Sequence, residues 1–241
     1  KKYSLEFKKD NKLFSRLTII IGFSLFFGSA LQQVALLYTD VANAAFFTIF
    51  YVPLVPIIVF LFRKKKIHWS VWPSVCLCLL GGYLLTNFFD ATVRLGDSLV
   101  ILGALFWSFH IIYTDIFIKK FNLPLTLGAA QTLIVAILSF IVGAVYEEFI
   151  LENILKEIIP ILYAGVLSGG FAFVLQIYAQ RNISPAPAAI IFSLEGVFAT
   201  IAAWILLSQV LEINNILGCT FRVRPNRPLL MPFPPPSRIR L

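Results

Sequence analysis

Glu195 and His110 are ionisable side chains inside long apolar runs, and both could carry a proton. Glu195 follows Pro187 by eight residues, ~12 Å along a helix that rises about 1.5 Å per residue, which places it near mid-membrane if that run crosses a bilayer. An ionised carboxylate there costs about 2.5 kcal/mol or more, so it needs a partner, a water-filled cavity or a bound proton. Two readings follow: a protonatable group facing a solute path, or a protonated carboxyl hydrogen-bonded between helices. His110 sits midway along another apolar run after Trp107. With an unperturbed pKa of about 6.5 it can exchange a proton near neutrality, or it can serve as a neutral packing residue.

Gln32, Gln131 and Gln176 add amides to the same apolar setting. Facing a cavity they would bind a polar solute; facing a neighbouring helix they would join helices. Asp115 stands four residues before Lys119 and reads as half of a helical ion pair. No residue is assigned a catalytic or metal-binding role. The chain has no HExxH or GxSxG pattern and no phosphate-binding glycine loop followed by Lys and Ser or Thr, so neither an intramembrane hydrolase nor an ATP-driven pump is favoured, and no cofactor is expected. Cys76 and Cys78, two apart on an apolar helix, point to different sides and read as small packing residues rather than a zinc site or disulfide.

The elements that hold these residues are hydrophobic helices. The chain is 59% hydrophobic and 13% charged, with a mean hydropathy of +0.87, against about 25% charged residues in a soluble domain. A membrane helix needs about 20 apolar residues to cross a core of roughly 30 Å. Seven runs qualify: Leu17 to Tyr38, Val41 to Phe62, Val71 to Thr86, Leu99 to Ile118, Pro124 to Tyr146, Ile158 to Tyr178 and Pro187 to Leu207. Pro53 and Pro56 should kink the second. Small residues four apart, Ser24 with Gly28, Gly165 with Gly169 and Ala199 with Ala203, should let helices approach closely. Thr39, Asn43 and Ser184, with Pro185 and Pro187, read as helix caps and starts.

Charge sets the orientation. Basic residues gather in alternate connections: Lys1, Lys2, Lys8, Lys9, Lys12 and Arg16; then Arg63 to Lys66; then Lys119 and Lys120; then Arg181. The positive-inside rule makes these cytoplasmic. Between them lie Asp40, then Asp90, Arg94 and Asp97, then the acidic stretch from Glu147 to Glu157. The net charge of +8 therefore reads as membrane orientation, with no nucleic-acid partner expected. A start inside the cell also argues against a seven-helix receptor, the main alternative. The segment 220–241 carries five arginines and six of the chain's 13 prolines. It reads as a tail that is non-native or disordered. The chain starts at Lys1 and shows no cleavable signal peptide, so it is expected to lack its true beginning.

At an offset of 144, Leu31, Gln32, Ala35, Ala42, Ala44 and Ala45 match Leu175, Gln176, Ala179, Ala186, Ala188 and Ala189. The charge assignment runs the first copy outward and the second inward, so the copies are inverted. Inverted repeats place equivalent gates on either side of a central site in many secondary transporters.

The runs QQVALLYTDVANAAFFTIFYVPLVP from Gln32, GDSLVILGALFWSFHIIYTDIF from Gly96 and QIYAQRNISPAPAAIIFSLEGVFATIAAWILL from Gln176 resemble the EamA family of the drug/metabolite transporter superfamily. The resemblance implies an all-α, ten-helix inverted-repeat permease in the cytoplasmic (inner) membrane. Residues 1–86 would then hold the last three helices of the first repeat behind a basic cytoplasmic segment, and 97–219 the second repeat without its last helix. Its partners would be a small organic solute and the lipid bilayer, with a homodimer compatible. Glu195, Gln176, Gln32, His110 and Gln131 would form the substrate and proton path. A transporter fragment without activity is the remaining alternative.

Overall fold

The computed structural model describes residues 11–39, 44, 47–64, 67–85, 95–195 and 198, with side chains except at 81–85. It is helical, with no strand among the described residues. The elements are α1 (Asn11–Ala35), α2 (Tyr51–Arg63), α3 (Val71–Leu85), α4 (Leu95–Phe121), α5 (Pro124–Tyr146), α6 (Leu151–Lys156), α7 (Ile158–Leu162), a π-helical segment (Tyr163–Ala172), α8 (Phe173–Ala179) and α9 (Pro185–Phe192). Four spans are long and apolar enough to cross a membrane among the described residues: Asn11–Ala35, Leu95–Phe121, Pro124–Tyr146 and Ile158–Ala179.

These bounds refine the seven expected runs. The first and fourth helices extend further into their basic or polar flanks than hydrophobicity suggests, and the fifth starts at Pro124 and ends at Tyr146 as read. The sixth is continuous from Ile158 to Ala179 but changes from α to π geometry over ten residues. The second is interrupted, and proline chemistry explains why. Pro53 has no N–H for the carbonyl of Ile49, which instead accepts from Val52 at 2.8 Å in a tighter turn. The helix restarts at Tyr51, so Pro53 falls in a first turn where no donor is needed, and only Pro56 lies in its interior. At 13 and 15 residues, α2 and α3 are short for a crossing. Most of the seventh run and all of 220–241 lie outside the described residues, as do Asn43, Ala199, Ala203 and Cys219.

The most extensive packing between two helices is that of α1 against α4, followed by α1 against α5. Small residues make this possible. A β-carbon on Gly96 would lie 2.6 Å from the carbonyl oxygen of Ala35, and one on Gly103 would lie 3.4 Å from that of Gly28. A β-carbon on Gly28 would lie 3.2 Å from the Trp107 ring, and one on Gly22 would lie 2.7 Å from Ile134 of α5. The Ser24 and Gly28 pair is buried as its spacing suggests. Gly165 is different: nothing lies within 4 Å of its β-carbon position, so that pair brings no described helix close.

Three apolar clusters follow from this arrangement. Val52, Val55 and Val59 of α2 meet Ile111 and Ile112 of α4, Val75 of α3 and Ala189 of α9. Leu17 and Ile21 of α1 meet Phe117, Leu127 and Ile177. Ala35, Ala44, Phe47 and Val100 close the far end. Outside these clusters the helices present Leu133, Ile137, Phe140, Ile141 and Val145, all exposed. Such a surface suits hydrocarbon, where helices satisfy their own backbone groups.

α1 ends at Ala35 and α8 at Ala179, two positions paired by the offset of 144, and the paired Ala44 and Ala188 are both buried. The crossing at Gly96 leaves no room for a methyl group against backbone. Gly96→Ala should destabilise the protein by about 1–3 kcal/mol, read as a lower unfolding midpoint in detergent, while Gly165→Ala should leave it unchanged. Equal midpoints for the two variants would contradict the close crossing.

Candidate functional site

The polar residues singled out in the sequence meet where α1, α4 and α5 cross. Trp107 and His110 lie one turn apart on α4 and so share a face. His110 is fully buried and its Nε2 lies 3.1 Å from Oε1 of Gln131, which is also fully buried. With the amide in this orientation Nε2 donates, which leaves Nδ1 as a bare acceptor. Neither Nδ1 of His110 nor Nε2 of Gln131 has a hydrogen-bond partner among the described residues. An unpartnered acceptor on α4 and an unpartnered donor on α5 thus belong to two side chains that are already in contact with each other.

Trp107 extends the group toward α1, its Nε1 donating to Oε1 of Gln32 at 3.3 Å. Its ring is parallel to that of Phe173 on α8, with centroids 6.2 Å apart. The imidazole of His110 stands nearly perpendicular to both, 6.0 Å from Trp107 and 5.8 Å from Phe173. Edge-to-face contacts of this kind are favourable for aromatic pairs. Three of the five expected residues, Gln32, His110 and Gln131, are therefore joined through Trp107. Gln176 is half-buried on α8, one turn after Phe173.

Glu195 lies elsewhere. It is exposed, just beyond α9, and acts electrostatically on the buried Tyr51 of α2. The Tyr51 hydroxyl has no hydrogen-bond partner among the described residues. Close by, Sγ of Cys78 lies 3.4 Å from Oγ of Ser193. Cys76, two residues away, is exposed, so the two thiols do point to different sides. The described residues thus show two polar centres rather than one.

Asp115 is paired with Lys119 as expected, and more tightly enclosed than the sequence suggests. It is buried, and Arg63 of α2 donates to its other oxygen at 3.1 Å. The Thr39 hydroxyl donates to the buried Asp97 at 2.5 Å, and the segment it was expected to cap, 40–43, lies outside the described residues. Ser184 holds the N-cap position of α9 without a side-chain capping bond.

Sequence reasoning missed Trp107, Phe173, Arg63 and Tyr51 as members of these groups. Only Trp107 left a usable signal, its position three residues before His110 on one helix face. The others come from segments far away in the chain, where spacing carries no information.

Residues 94–223 match the EamA-like transporter family. The chain belongs to that family. It is 32% identical over 198 residues to an uncharacterized transporter of Archaeoglobus fulgidus, covering 82% of this chain and 63% of that protein. It is 27% identical over 135 residues to the uncharacterized transporter YoaV of Bacillus subtilis, and 24% identical over 212 residues to one of Clostridium kluyveri. The chain spans 63%, 44% and 64% of the lengths of these relatives. With its apolar spans, this EamA-like chain is an integral, multi-pass membrane protein of transporter type.

A double-mutant cycle tests the His110 and Gln131 contact. His110→Leu and Gln131→Leu should be non-additive in unfolding free energy by about 0.6 kcal/mol, and at most about 1.7. Additive effects would show that the two side chains do not interact.

Proposed function

We propose that this EamA-like protein is the larger part of a secondary transporter that moves a small organic metabolite across the cytoplasmic membrane, coupled to protons. The observation that carries this reading is the group built from the half-buried Gln32 and Trp107 and the fully buried His110 and Gln131. It holds an acceptor and a donor that have no hydrogen-bond partner among the described residues, where three helices meet. Hydrocarbon gives such atoms no compensation, and intramembrane polar groups of this kind mark solute and proton pathways. A solute that carries both a donor and an acceptor would satisfy them.

The matching helix ends at Ala35 and Ala179 and the inverted charge pattern support a ten-helix architecture of two inverted repeats. In that architecture seven crossings belong to this chain, and Gln32 and Gln176 occupy equivalent places on a shared path. Proton coupling is assigned to Glu195, with His110 as the second titrating group. The reason is chemical: Glu195 stands in an apolar run, where an ionised carboxylate is costly and binding a proton offsets that cost.

The test uses the product of the whole gene in proteoliposomes with a pH-sensitive dye inside. Addition of solutes from a panel of amino acids, nucleosides and organic cations should find one that drives proton movement. Glu195→Gln should reduce that movement by about a hundredfold, the scale expected when a positioned proton-transfer group is removed, with expression unchanged. Wild-type flux in the variant would take Glu195 out of the mechanism, and no solute-driven flux from any member of the panel would count against proton coupling.

A further inference from the structure

At the end of α4 an open cleft of about 480 Å³ is lined by Ile118, Lys119, Asn122, Arg181 and Asn182. It joins two connections that are 59 or more residues apart in the chain yet both basic, and both cytoplasmic by the orientation read from charge. Lys119 bridges them directly, its Nζ donating to the carbonyl of Ile183 at 3.4 Å.

Positive charge is in excess here. The buried carboxylate of Asp115 is taken by Arg63 and Lys119. Arg181 pairs with no carboxylate among the described residues; its guanidinium lies over the Tyr178 ring, 4.4 Å from the centroid. Stacking fixes the plane of the guanidinium but uses none of its N–H donors, and its buried Nε has no hydrogen-bond partner among the described residues. Two helices add to the effect. α5 begins two residues after Asn122 and α9 three after Asn182, and neither has a side-chain capping bond. Helix N-termini favour negative charge, although Pro124, Pro185 and Pro187 contribute no N–H there. A planar guanidinium, an ammonium and two carboxamides form the donor set for a tetrahedral oxyanion.

We propose that this cleft binds a phosphate group, with Arg181 as its principal ligand and Lys119, Asn122 and Asn182 completing the cradle. The group comes from an anionic phospholipid headgroup of the cytoplasmic leaflet, which is rich in such lipids and faces this end of the helices, or from free phosphate. The site is separate from the Trp107 group and does not depend on which solute is carried.

The test is binding to the intact chain purified in an uncharged detergent, measured by native mass spectrometry with phosphatidylglycerol, phosphatidylcholine or inorganic phosphate. Phosphatidylglycerol should bind in preference to phosphatidylcholine, and Arg181→Gln should weaken it by about tenfold, as expected for loss of a charge-assisted hydrogen-bonding group. Lys64→Gln removes the same charge from the same membrane face outside the cleft and should change affinity by less than about twofold. Binding of inorganic phosphate with the same Arg181 dependence, and no preference between the lipids, would support the cleft with a soluble source. Equal losses in the Arg181 and Lys64 variants would overturn the proposal, as would a failure of both phosphatidylglycerol and phosphate to bind. Arg181→Lys keeps the charge over Tyr178 and so guards against misfolding. It should fold as wild type and bind less well, because it lacks the planar donors; unchanged binding would also overturn the assignment.

Discussion

Within a bilayer, apolar surface gives helices no reason to associate, since lipid tails are as apolar as leucine. What holds them is close packing and hydrogen bonding. In this protein that requirement falls on the crossing of α1 with α4, where Gly96 meets the Ala35 carbonyl and Gly103 meets that of Gly28. Backbones this near leave no room for intervening side chains, so the register of the two helices is fixed. The same register puts Gln32 beside Trp107, and Gly22 against Ile134 brings α5 and therefore Gln131 into place. The polar group is thus a consequence of where glycines fall.

A second consequence concerns charge at the C-terminal end of α4. Asp115 is buried between Arg63 and Lys119, which ties α2 to α4 where the chain leaves the apolar region. A buried carboxylate is tolerated only with such partners, and removal of one partner from a buried pair is strongly destabilising. The two ends of α4 are therefore held differently: by Thr39 on Asp97 at one end and by ion pairs at the other. Between them the polar contacts are the aromatic and amide group around His110, the Ser108 hydroxyl on the Ala104 carbonyl and the Gln180 amide on the Ile111 carbonyl, among the described residues.

Hydrophobicity and charge made much of the fold legible. α5 was readable to the residue because Pro124 starts it and Glu147 and Glu148 follow it. The interruption before Tyr51 was not, because apolar composition continues through Ile49 and Phe50 while the hydrogen bonding changes. The same holds for Tyr163 to Ala172, since α and π geometries bury the same residue types and differ in which carbonyl each N–H meets. For the candidate site, residue type identified Gln32, His110 and Gln131, but their meeting depends on three crossings that no local spacing encodes. Glu195 is different: its type and depth along the run marked it as a proton carrier, but most of the residues that follow it lie outside the described structure, where it stands exposed just beyond α9.

The α1 and α4 crossing can be measured directly. The β-carbon of Leu31 lies 3.6 Å from that of an alanine at position 103, within the separation of about 3.5–4.5 Å that a disulfide spans. With Cys76, Cys78 and Cys219 replaced by serine, the Leu31→Cys and Gly103→Cys pair should cross-link in membranes under mild oxidation. A protease site inserted between the two helices would report it, because the fragments would stay together until reduced. Fragments that separate without reductant would contradict the crossing, and with it the placement of Gln32, Trp107 and His110 in one group.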